Sequence, residues 1–252
     1  MAKGIGEAIS LLVLFTVVLA ISLSIYFYTM FYTDQAKALL EYGYVKTMFN
    51  KLADAIVEKW RSNYTNEYSY PHELVALGYE PKNTGYKLNI TLGGNNSSRV
   101  IDAVGCSILK ALIMKPVVSN LNPLIVRGVN YSIVRDVELI PLVYEYYANG
   151  SSILVLDTCR AYYTINLIGG EEYLEIAVFN LTGPGGLGYP RVVGQGLLAV
   201  SFSTRILAED YNVRSVRLES INPDLTEEIK PIKSQAFTRV TITVVEVQVF
   251  IG

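Results

Sequence analysis

The side chains able to do chemistry are few and scattered along the 252 residues. The single histidine, His72, sits beside Pro71 in turn-like sequence, and the two cysteines, Cys106 and Cys159, are far apart. A zinc site needs three or four such ligands at close spacing, and nucleophilic catalysis needs an oriented imidazole beside its Ser or Cys. Neither pattern is present. The segment GPGGLGYP, Gly183 to Pro190, lacks the Lys-Ser/Thr ending of a phosphate-binding loop and reads as a plain loop. The acidic neighbours Glu171-Glu172, Glu209-Asp210 and Glu227-Glu228 lack the spaced pattern of a calcium loop and read as solvated charge. No catalytic residue, metal or cofactor is expected, and the chain does not read as an enzyme.

The remaining chemistry is covalent modification. N-x-[ST] acceptor sites begin at Asn63, Asn89, Asn95, Asn96, Asn130, Asn149 and Asn180, seven of the 15 asparagines. Chance placement in this composition gives about two, so the excess points to a glycosylated exterior surface. Clustering of Asn, Ser and Thr in surface turns is the plainer alternative. Cys106 and Cys159 can close one disulfide in an oxidising space, or remain two buried thiols. The 19 tyrosines suit contact surfaces, because an apolar ring carries a polar tip, and suit cross-strand packing equally well.

The elements that carry these residues begin with a membrane segment. From Ala8 to Thr33 runs AISLLVLFTVVLAISLSIYFYTMFYT, 26 residues without a charge, where about 20 suffice to cross a bilayer as a helix. A cleaved secretory signal would have a shorter apolar run of about 7–15 residues and then a small-x-small site. Here the run instead continues into Tyr26, Phe27, Tyr28, Phe31 and Tyr32, an aromatic cluster suited to headgroup depth. Lys3 precedes the run and Asp34 follows it, which places the N-terminus in the cytoplasm and residues beyond 33 outside the cell. The formal charge of −2 gives no basic field for nucleic acid.

A helical stripe continues past the membrane at Ala38, Tyr42, Val45, Phe49, Leu52, Ile56 and Trp60, with Thr47, Lys51, Asp54 and Glu58 opposite. Gly43 is a weak point that could permit a bend. Residues 61–94 read as polar connecting surface, apart from an alternating run at Tyr86–Leu92. Val100–Met114 fits helix or strand. Beyond Leu124, strands are expected at Val129–Leu139, Leu142–Ala148, Ser152–Thr158, Arg160–Ile168, Tyr173–Asn180, Gly196–Leu207, Val213–Ser220 and Phe237–Ile251. Asn149-Gly150 and Gly169-Gly170 mark hairpins. In the last strand Val240, Ile242 and Val244 alternate in one phase and Val245, Val247 and Val249 in the other, which suggests a bulge or a strand that moves between two sheets. The fold class is therefore α+β: a long N-terminal helix over residues 5–62, with its span at 8–33 and amphipathic half at 34–62, then an extracellular antiparallel β-rich, sandwich-like domain over 63–252.

The N-terminal MAKGIGEAIS, a short basic leader running directly into the apolar helix, resembles the class III signal peptide of archaeal type IV pilin-like proteins. That resemblance covers about the first 60 residues. It implies a leader of residues 1–4, with Lys3 and Gly4 before the cleaved bond and Ile5 after it. It also implies an acidic helper near the new N-terminus, a place Glu7 fills as third residue where bacterial members use the fifth. The apolar helix, through positions such as Leu11, Leu14, Val18, Ile21 and Ile25, would then form the core of an extracellular filament. The implied partners are copies of the chain, a prepilin peptidase, the pilus assembly machinery, and the membrane before assembly, with no nucleic acid. The rival expectation is a single-pass, membrane-anchored extracellular binding module.

Overall fold

The computed structural model describes residues 2–70, 73–82, 86–92, 98–102, 106–183, 196–221 and 224–251, the side chains at 2–9, 81–106 and 221–225 excepted. The chain divides into two compact units, Met1–Leu40 and Glu41–Gly252. Helix α1 (Ala2–Lys59) supplies the first and opens the second, running without a break through Gly43. It ends three residues before the expected boundary, where the Ser62 amide and hydroxyl both donate to the Lys59 carbonyl at 2.9 Å and close the last turn.

Fourteen strands follow among the described residues: β1 (Tyr64–Tyr70), β2 (Val75–Lys82), β3 (Tyr86–Leu92), β4 (Ser98–Asp102), β5 (Cys106–Ile113), β6 (Leu124–Arg127), β7 (Ile133–Val134), β8 (Leu142–Ala148), β9 (Ser151–Asp157), β10 (Ala161–Ile168), β11 (Glu171–Thr182), β12 (Gly196–Ile221), β13 (Asp224–Ile229) and β14 (Phe237–Ile251). They form two sheets. The larger runs β4-β3-β12-β14-β11-β10-β7, with β1 and β13 also on β12; the smaller runs β2-β5-β9-β8-β6.

The arrangement is mostly antiparallel, with two parallel pairs, β11 with β14 and β7 with β10. The first arises because the last strand inserts between β11 and β12 rather than adding at an edge. Both expected hairpins form. Asn149 and Gly150 sit at φ 52° and 80°, the double left-handed turn that matches strand twist, and Gly169 and Gly170 at 62° and 92°.

Three expectations are corrected and one open reading is settled. The segment expected as connecting surface holds β1 and β2, while the alternating run Tyr86–Leu92 forms β3; in β1 the half-buried positions are Tyr64, Asn66 and Tyr68, so the alternation is carried by residues that read as polar. The ambiguous Val100–Met114 is neither one helix nor one strand but the end of β4 and the whole of β5. The two strands expected at 196–207 and 213–220 are one strand, β12. Its acidic middle, Glu209 and Asp210, pairs with β14, and at Asn212 (φ 56°) the backbone turns so that the following residues pair with β3 and β13 instead. The expected strand at 129–139 is reduced to β7 and a single 3-10 turn, Val137–Leu139, held by the Asp136 carboxylate on the Glu138 amide at 3.0 Å.

The phase change in β14 has a clear basis. Its first half sends Val240 and Ile242 into a core with Leu174, Ile176, Val216 and Leu218. Its second half shares the opposite face with β11 and β12, where Val245 pairs with Phe179 and Val247 with Phe202. The accompanying bulge lies in the partner strand, between Ile206 and Ala208.

Candidate functional site

Taken alone, the first unit is a helix that is apolar all round. Leu11, Leu14, Val18, Ile21 and Ile25 are 54–67% exposed, and Val13, Phe15, Val17 and Leu19 on the other faces are exposed as well. A helix of this kind needs an apolar surround on every side. It is long and apolar enough to cross a membrane. Four of its hydroxyls are satisfied within the helix: those of Thr16, Ser24, Thr29 and Thr33 donate to the carbonyls of Val13, Ala20, Ile25 and Thr29 at 2.8 Å. That leaves no side-chain donor seeking water in this stretch of those four residues, as a nonaqueous environment demands. Lys3, Gly4, Ile5 and Glu7 belong to the same helical backbone, and their side chains lie outside the described residues.

In the second unit the stripe from Tyr42 to Trp60 is buried as its spacing requires, with Val45, Phe49, Leu52 and Ile56 fully enclosed and Thr47, Lys51, Asp54 and Glu58 facing out. Both sheets contribute to this packing. Phe179 of β11 meets the Trp60 ring edge-on at 5.6 Å, and Glu145 of β8 accepts hydrogen bonds from the Tyr42 hydroxyl and from Lys46, the latter at 2.8 Å. Burial, then the Glu145 carboxylate, push the Tyr42 hydroxyl well above its ordinary pKa, so it remains a proton donor. Glu41 accepts from the Leu74 amide at 2.9 Å, and Arg127 reaches both the Asn50 carbonyl and Asp54. These polar anchors escaped the sequence reading, because a Lys or Glu next to an apolar stripe carries no sign of its partner a hundred residues away.

Of the glycosylation candidates, Asn63, Asn130 and Asn149 are exposed, Asn149 at the tip of the β8–β9 hairpin. Asn180 is a correction: it lies inside β11 at 3% exposure, where the folded chain has no room for a glycan. The Asn89 side chain, and Asn95 and Asn96 entirely, fall outside the described residues. So do His72 and most of the GPGGLGYP segment.

No cysteine among the described residues is free. In the β5–β9 register Ile108 faces Asp157, and continuing it two residues sets position 106 opposite position 159.

The acidic pairs do separate work. Glu172 is a clamp: its carboxylate accepts from the amides of Ile232, Lys233 and Ser234 and from the Ser234 hydroxyl, fixing the β13–β14 connection onto the start of β11. The Ser234 hydroxyl and then those amides hold its pKa down at about 2. Glu227 accepts from Tyr163 and pairs with Arg135 at 2.9 Å, and Glu209 accepts from Tyr211. Among the described residues no group of three or more His, Cys, Asp or Glu is placed to hold a metal ion.

The architecture is thus a long apolar N-terminal helix followed by a β-rich unit that packs the helix's second half. This arrangement is consistent with a pilin-like protein. The chain matches no family model, no curated protein and no solved structure.

Proposed function

We propose that the chain is a structural subunit of an extracellular type IV pilus-like filament. The observation that carries this reading is the contrast along one helix: residues 11–33 are exposed and apolar on every face, whereas Tyr42–Trp60 bury their stripe within their own unit. The first half therefore needs a surround that the second does not. Lipid supplies it before assembly, and the same helix of neighbouring subunits supplies it afterwards, so that hydrophobic burial drives a helical array. The self-bonded hydroxyls of Thr16, Ser24, Thr29 and Thr33 support both environments equally.

Under this reading the leader is cut between Gly4 and Ile5 by a prepilin peptidase, the β-rich unit forms the outer sheath at the cell surface, and no residue performs catalysis. The sheath carries a Cys106–Cys159 disulfide, supported by the facing register, and glycans on exposed acceptor sites.

The test is Leu14→Lys. An ammonium among packed apolar helices costs several kcal/mol even after relaxation, so the variant should reach the membrane and fail to enter filaments. Membrane insertion is scored first, by fractionation. Filament entry at wild-type level would overturn the reading, and absence of wild-type chain from any filament would favour the anchored binding module.

A further inference from the structure

The sheet of β10, β11, β14 and β12 carries a cluster of aromatic and planar polar groups, with Asn166, Arg239 and Tyr211 exposed and Tyr173 half-buried. Their registers set Asn166, Tyr173, Arg239 and Tyr211 side by side in one row across four strands. The neighbouring row is Thr164, Glu175, Thr241 and Glu209. A cavity of about 260 Å³ opens here, lined by Asn166, Tyr173, Glu175, Arg239 and Thr241. The opposite face of these strands is the packed core of Leu174, Ile176, Val240 and Ile242, so the row is held on a rigid support.

The chemistry of the row is specific. Arg239 lies 5.6 Å from the Tyr173 ring centre and 3.3 Å from Glu209, and Tyr211 beside it is 64% exposed. One aromatic ring therefore lies against the guanidinium and a second, exposed one stands beside it in the row, with an amide and carboxylates within the same two rows. A pyranose ring presents the complement: an apolar C–H face for stacking and a rim of adjacent hydroxyls that amide, carboxylate and guanidinium groups can engage two at a time. The charges decide which sugars fit. Arg61 pairs with Glu175 at 2.8 Å and Arg239 with Glu209, while Glu171 receives the Tyr173 hydroxyl, so two cations stand against three anions. A site with this balance repels acidic sugars and has no surplus cation to hold them. Four strands span about 14 Å, wide enough for more than one ring.

We propose that this row binds neutral pyranose units of a polysaccharide. The inference rests on the filament reading, to whose outer sheath it gives a ligand, yet its test does not depend on assembly. The full-length chain is held in amine-oxide micelles, because glycoside detergents would compete, and saturation-transfer NMR is recorded with hexasaccharides of glucose, mannose and N-acetylglucosamine, and of galacturonate as the acidic probe. At least one neutral probe should bind with Kd of about 1 mM or tighter, and Tyr211→Thr and Arg239→Thr should each weaken it about tenfold or more. Threonine keeps strand preference at these exposed positions. Contacts from sugar protons to tyrosine ring protons read the site in the unsubstituted chain. No binding of any neutral probe, unchanged binding by both variants, or preference for galacturonate overturns the proposal. A chain that binds sugar and never enters filaments overturns the filament reading alone.

Discussion

Lys46 of the helix and Glu145 of β8 meet at 2.8 Å across 99 residues of sequence, with the Tyr42 hydroxyl on the same carboxylate oxygen. The pair fixes the register of the helix's second half against the smaller sheet. Glu145 is almost enclosed, its side chain 9% exposed, whereas Lys46 is 32% exposed.

That asymmetry sets the first prediction. Glu145→Ala strands the buried Tyr42 hydroxyl but lets the part-exposed Lys46 turn to water and should cost about 2 kcal/mol, while Lys46→Ala leaves the nearly enclosed Glu145 carboxylate without its cation and should cost more, about 3 kcal/mol. Denaturant unfolding of the detergent-solubilised chain, followed by near-ultraviolet circular dichroism, measures both. A Lys46→Ala cost below about 1 kcal/mol would show that the Glu145 carboxylate is reached by water and is not the hub.

The Glu172 clamp predicts an acid-resistant connection. Its pKa is lowered from 4.5 to about 2, so the stabilisation is full above the ordinary carboxylate range and falls away progressively between 4.5 and about 2. Hydrogen exchange at Ile232, Lys233 and Ser234, corrected for intrinsic rates, should show full protection at about pH 6 and a gradual loss toward the lower value. Glu172→Gln should lose that protection already at neutral pH. A wild-type transition centred at the ordinary value would refute the clamp.

Much of this was legible in the sequence, and the failures share a cause. The helix is readable because apolar residues recur at one period over a long stretch, the hairpins because Asn149-Gly150 and Gly169-Gly170 supply left-handed turn residues, and the last strand because it alternates in two successive phases. β1 hides its alternation in tyrosine and asparagine, and β12 reads as two strands because Glu209 and Asp210 look like a turn, whereas both pair with β14, Glu209 exposed and Asp210 half-buried. Asn180 shows the limit of motif reading: its acceptor triplet is intact, yet it lies in the core. The Glu145 and Glu172 anchors depend on partners that only the fold brings together.

The facing register of positions 106 and 159 predicts one disulfide. Unreduced peptide mapping should find Cys106 linked to Cys159, and reduction should cost about 4 kcal/mol in the chain-entropy description. Two alkylatable thiols in folded native protein would contradict it.

Glycan occupancy should follow exposure. Native protein should carry sugar at one or more of Asn63, Asn130 and Asn149 and none at Asn180, as read by glycopeptide mass spectrometry. A modified Asn180, or bare peptide at all three exposed sites, would contradict the account of the sheath.

The central claim is that the helix leaves the membrane to become the core of a filament after its leader is cut. N-terminal sequencing of protein sheared from the cell surface as filaments tests it most directly. The account predicts a chain beginning at Ile5, with Met1 to Gly4 removed. A chain that retains Met1 and stays in the membrane fraction, never among the filaments, would contradict it.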